Sequence, residues 1–124
     1  MAYLIVDDVS IMRLVLKDIL VRYCGCASEE IYEADRGKAA LEKYGEIKPK
    51  VVFCDVSMPE MDGVAVVKKI IETDPEAKII MCTASAEKEM VQQCISAGAI
   101  DYIVKPPVPE RVRQAFEKCV NGGQ

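Results

Sequence analysis

Between Lys50 and Pro59 the chain reads Val51-Val52-Phe53-Cys54-Asp55-Val56-Ser57-Met58, an apolar run that ends in a carboxylate and then breaks at Pro59, Asp62 and Gly63. Four successive apolar residues without polar alternation suit a strand covered on both faces, as in a parallel sheet flanked by helices. Open α/β folds hold their ligands at the carboxyl ends of such strands, so the same run delivers Asp55 to the edge where chemistry is expected. An Asp that closes a strand is by itself a common opener of turns. Its meaning depends on what ends the other strands.

Residues 2–6, Ala-Tyr-Leu-Ile-Val, form a second run of this type and end in Asp7 and Asp8. Residues 78–82 end in Thr83, followed by the small residues Ala84, Ser85 and Ala86, and residues 99–104 end in Lys105 followed by Pro106 and Pro107. Residues 30–34 interleave polar and apolar side chains, which suits an edge strand. Helical spacing fills the intervals. Ser10 is expected to cap a helix carrying Ile11, Leu14, Val15, Leu16 and Ile19 as far as Tyr23. A short helix over 38–44 stops at Gly45 and Pro49, and a stripe of Val64, Val66, Val67, Ile70 and Ile71 is closed by Asp74-Pro75. Residues 87–97 turn Met90, Val91, Cys94 and Ile95 inward before Gly98. Pro109 opens a last helix with Val112, Ala115, Phe116 and Cys119 inward, and residues 121–124 are expected to fray. Five strands alternating with five helices predict a doubly wound parallel α/β sheet with right-handed crossovers, in one domain spanning 1–124.

Composition removes several function classes. A net charge of −4, with no Lys/Arg run at either end, gives no electrostatic basis for binding nucleic acid. No stretch approaches the roughly 20 apolar residues of a membrane span, and the start lacks the marks of an export signal, so a cytoplasmic protein is expected. Six cysteines form no Cys-x-x-Cys pair, and there is no histidine. Mixed zinc sites and histidine-activated nucleophiles are therefore excluded, and the cysteines read as reduced thiols, with Cys24-Gly25-Cys26 the one pair placed to oxidise.

A parallel sheet gathers Asp7, Asp8, Asp55, Thr83 and Lys105 on one edge. Three crowded carboxylates repel unless a cation joins them, and a hard divalent ion such as Mg²⁺ suits an all-oxygen set. An ammonium beside a hydroxyl, across from a metal, matches the oxygens of a phosphoryl group. The expected chemistry is a phosphoryl group carried on Asp55.

At this point the residues resemble a known family, the receiver domains of two-component response regulators, of the stand-alone CheY-like kind. The resemblance spans the chain and is carried by Asp7-Asp8, by Asp55 within Asp-Val-Ser-Met-Pro-Glu-Met-Asp-Gly, and by Thr83-Ala84, Ala97-Gly98-Ala99, Tyr102 and Lys105-Pro106. It implies the flavodoxin-like strand order 2-1-3-4-5. It implies Asp55 as phosphoacceptor, with Mg²⁺ bound by Asp8, Asp55 and the Ser57 backbone carbonyl, and by Asp7 through water. Thr83 and Lys105 would contact the phosphoryl oxygens, and Tyr102 with Thr83 would form the switch, its ring turning into space beside Ala84. The implied donor is a sensor histidine kinase. The implied target is a separate protein, with chemotaxis as one pathway of this kind, docking on the face of helix 4, strand 5 and helix 5, where Pro107 stands in place of the family's frequent Phe.

The expected function is thus a signalling receiver rather than an enzyme, limited to Mg²⁺-dependent self-phosphorylation and autodephosphorylation. The alternative is a Mg²⁺-dependent phosphohydrolase working through an aspartyl phosphate. Such enzymes usually carry a second acid two residues after the nucleophile, where this chain has Ser57. A flavodoxin is disfavoured because Asp7 and Asp8 would repel a flavin phosphate. A cis Lys105-Pro106 bond is expected, to aim the ammonium back into the site.

Overall fold

The computed structural model describes residues 1–121. The strands are β1 (Tyr3–Val6), β2 (Ile31–Ala34), β3 (Val51–Asp55), β4 (Ile79–Thr83) and β5 (Asp101–Val104). The helices are α1 (Ser10–Tyr23), α2 (Gly37–Ile47), α3 (Gly63–Thr73), α4 (Lys88–Ala97) and α5 (Pro109–Val120), with a short 3₁₀ turn at Ser28–Glu30. The sheet is parallel throughout, in the order β2-β1-β3-β4-β5. Every residue of the central strands β1, β3 and β4 is buried, whereas β2 buries only its first and last residues, as an edge strand should.

Alternate strand residues feed two separate cores. Leu4, Val6, Val52, Cys54, Ile79 and Met81 meet α2, α3 and α4 on one face. Tyr3, Ile5, Val51, Phe53, Ile80, Cys82 and Ile103 meet α1 and α5 on the other, with Val112, Ala115, Phe116 and Cys119 inward as expected. All six cysteines are free thiols, and Cys54, Cys82 and Cys94 are buried as small apolar residues. No helix is long and apolar enough to cross a membrane among the described residues.

Several local expectations need correction. Ser10 does not cap α1: the cap position is Val9, with no side-chain bond, and Asp7 Oδ1 instead accepts the Val9 N–H at 2.9 Å. Gly45 does not stop α2, which continues to Ile47 and ends where Lys48 enters the left-handed region at φ 45°. Ile11 and Leu14 are 58% and 60% exposed, because α1 turns Leu16, Ile19 and Leu20 to the core, and Ile95 is likewise exposed on α4. Asn121 forms a turn just beyond α5. The rest of the expected fray, 122–124, lies outside the described residues.

Candidate functional site

Register sets the height of each functional side chain. Val6 pairs with Cys54, Asp55 with Cys82, and Thr83 with Val104. Asp7 therefore leaves β1 level with Asp55, Thr83 stands one residue higher, and Lys105 follows directly on β5. The loop after β3 is held by a close approach: Gly63 N–H donates to the Val56 carbonyl at 2.8 Å, and a Cβ at Gly63 would collide with the Asp55 carbonyl oxygen and sit 2.9 Å from Met81 Cε. Only glycine fits there. Asp62 then caps α3, its Oδ1 accepting the Ala65 N–H at 2.9 Å.

The structure brings together four of the expected residues. One carboxylate oxygen from each of Asp7, Asp8 and Asp55 lies within 4.8 Å of the others. Asp7 is 1% and Asp55 4% exposed, while Asp8 is exposed. Lys105 Nζ bridges the two buried acids, 2.9 Å from Asp55 Oδ1 and 3.0 Å from Asp7 Oδ2. The Lys105-Pro106 bond is cis. Burial and the neighbouring Asp7 charge push the Asp55 carboxyl above the usual range, against the opposing pull of Lys105 and the Ser57 N–H. Burial alone would lower the Lys105 ammonium, but its bonds to Asp55 and Asp7 outweigh this and raise it.

Both hydrogen bonds that reach the Asp55 carboxylate end on Oδ1, from Lys105 and, at 3.4 Å, from the Ser57 N–H. Among the described residues, no donor is bonded to Oδ2. The Thr83 hydroxyl is engaged elsewhere: Oγ1 donates to the Ser85 carbonyl at 3.0 Å and accepts the Ser85 N–H at 3.1 Å. Tyr102 is partly buried against the core beneath α4.

One residue that fixes the site escaped the sequence reading. Arg13 donates through Nη1 to the Asp7 carbonyl at 2.7 Å and through Nε to Glu33 Oε1 at 2.9 Å, tying α1 and β2 to the end of β1. With the Asp7 N–H on the Ala34 carbonyl, every polar group of Asp7 is anchored. The available signal was an Arg one turn into the helix after Asp7-Asp8.

The three acids supply an all-oxygen donor set of the type hard divalent cations take. Two of them are buried, with one ammonium between them among the described residues, which leaves an excess of acidic groups at the opening marked by Asp8.

Comparison with known proteins follows the same lines. The family model for the response regulator receiver domain matches residues 3–117. The chain is 48% identical over 115 residues to the chemotaxis protein CheY of Thermotoga maritima, covering 93% of each, and 47% identical over 118 residues to that of Bacillus subtilis, covering 95% of this chain and 96% of the relative. Among solved structures it is similar to the Vibrio cholerae chemotaxis protein CheY4, with TM-score 0.85 at 30% identity over 96% of this chain and 98% of the other. It is also similar to a chain of the CheX-CheY-BeF3-Mg²⁺ complex of Borrelia burgdorferi, with TM-score 0.84 at 31% identity over 96% and 88%.

Proposed function

We propose, starting from the family of response regulator receiver domains to which this chain belongs, that it accepts a phosphoryl group on Asp55 from the phosphohistidine of a sensor kinase and relays the signal to a separate protein. The chemotaxis names of its relatives make a chemotaxis pathway the first one to test. The observation that carries the reading is the bridging of Asp7 and Asp55 by Lys105 beside an Asp55 oxygen to which no donor among the described residues is bonded.

In the transfer, Asp55 Oδ2 forms the new P–O bond as the donor's P–N bond breaks, and the imidazole leaves with the electron pair. Lys105 stays within reach of the oxygens on which charge develops. The carboxylates of Asp8 and Asp55 and the Ser57 carbonyl, with Asp7 acting through water, would hold Mg²⁺, which supplies neutralisation of the phosphoryl oxygens. Arg13 keeps Asp7 in place through its carbonyl. Thr83 leaves its turn with Ser85 to meet the phosphoryl group, and Tyr102 moves into the space released, altering the docking face of α4, β5 and α5.

Incubation with Mg²⁺ and acetyl phosphate tests this. A receiver takes up one phosphoryl group per chain. Many turnovers of varied phosphate esters would instead make the chain a phosphohydrolase.

A further inference from the structure

β5 lies at the edge of the sheet, where backbone groups facing outward lack strand partners. At Tyr102 side chains supply them. The Tyr102 N–H donates to Asp101 Oδ1 at 2.8 Å, and the Tyr102 carbonyl accepts from Arg111 Nη2 at 2.7 Å. Arg111 also grips both oxygens of the buried Asp101 carboxylate, Nη2 to Oδ1 at 2.7 Å and Nη1 to Oδ2 at 3.2 Å, and Lys118 Nζ lies 3.2 Å from Oδ2. The same guanidinium lies 5.6 Å from the centroid of the Tyr102 ring, within cation–π range.

We infer that Arg111 is a positioning residue for Tyr102, a latch that reaches from α5 around the sheet edge and holds the ring in its resting place. The inference rests on the proposed switch role of Tyr102. Asp101 and the Tyr102 carbonyl fix the planar guanidinium, so it cannot follow the ring, and any ring movement forfeits the stacking contact. None of these atoms belongs to the Asp7, Asp55 and Lys105 cluster, so the latch sets how readily the ring moves without taking part in phosphoryl transfer. A contact of this kind at a half-exposed site is worth roughly two- to fivefold in the ring's population.

The test is the Tyr102 ring signal in fluorotyrosine-labelled protein, assigned with Tyr102→Phe and recorded with and without Mg²⁺ and acetyl phosphate. In the parent the signal is expected to move on phosphorylation. In Arg111→Ala the unphosphorylated signal should already be displaced toward the phosphorylated position by that two- to fivefold, with Asp55 labelled to the same extent as in the parent. Arg111→Lys keeps a cation opposite Asp101, which guards the fold should the alanine variant fail to fold, but it lacks the planar fork and should show the displacement too. A resting signal unmoved in both variants overturns the latch and leaves the switch standing. Displacement in Arg111→Ala alone assigns the effect to the ion pair and overturns the stacking latch. A parent signal indifferent to phosphorylation overturns switch and latch together.

Discussion

Lys105 Nζ stands 2.9 Å from Asp55 Oδ1 although fifty positions separate the two residues in the chain. The contact does not bring Asp55 back to an ordinary carboxylate, because burial and Asp7 raise it by more than Lys105 lowers it. A carboxyl raised in the native state holds its proton to higher pH than the unfolded chain does. Stability is therefore lost as pH rises from the unfolded value through the native one, and the deficit persists above.

Asp55→Asn, which mimics the neutral form, is accordingly expected to raise metal-free stability at pH 7 by about 1 kcal/mol, the size of other stabilising changes at strained sites. The gain should shrink as pH falls through the native value for Asp55 and vanish below the unfolded value, where the parent carboxyl is neutral in both states. Denaturant melts across acid to neutral pH check both parts. A variant less stable than the parent at pH 7 would contradict the description of the site.

Asp8 is the exposed member of the acid cluster. Asp8→Ala should leave the fold intact and weaken Mg²⁺ binding at least about tenfold, or about 1.4 kcal/mol. A titration of the metal-free protein measures it, and unchanged affinity would remove Asp8 from the metal site.

Gly63 is the position where the backbone has no space to give, since its missing Cβ would fall on the Asp55 carbonyl. Gly63→Ala should cost at least about 2 kcal/mol and lower Tm by on the order of 10 °C. It should also slow labelling of Asp55, because the end of β3 must shift. Gly45 offers the control: a Cβ there meets nothing within 4 Å, so Gly45→Ala within α2 should be neutral or stabilising.

Switching is addressed by Ala84→Val. If the Tyr102 ring enters space beside Ala84 when Thr83 releases Ser85, the added methyls obstruct that rotamer but leave the acid cluster untouched. The variant should label from acetyl phosphate like the parent yet gain severalfold less target affinity on phosphorylation, measured by titration with a peptide or protein target. An undiminished gain would show that the ring does not use that space.

The strand ends were legible because a strand buried on both faces leaves an unbroken apolar run, and the residue that ends the run is then visible at once. That held for Asp7, Asp55 and Thr83, whereas β5 is an edge strand with Val104 exposed, and Lys105 was marked by the prolines that follow it; register then aligned all four. Helix boundaries were less legible. Ser10 looked like a cap, but the cap position falls on Val9, whose N–H bonds back to Asp7 Oδ1, and Gly45 looked like a stop although tertiary packing of Ala40 and Tyr44 carries α2 past it. Ile11 and Leu14 continued the helical spacing of α1 yet lie outside, because the sheet accepts only the arc holding Leu16, Ile19 and Leu20. Arg13 and Arg111 were invisible for a different reason. A long cationic side chain in a helix reads as surface, and only the fold discloses that its end meets a backbone carbonyl on a neighbouring strand.

Phosphoryl transfer to Asp55 can be read directly by peptide mapping with mass spectrometry after incubation with Mg²⁺ and acetyl phosphate. The expected result is a single phosphoryl adduct on the peptide containing Asp55, absent when Mg²⁺ is chelated and absent in Asp55→Asn. An adduct on another residue, or one that persists in Asp55→Asn to the same extent, would contradict it.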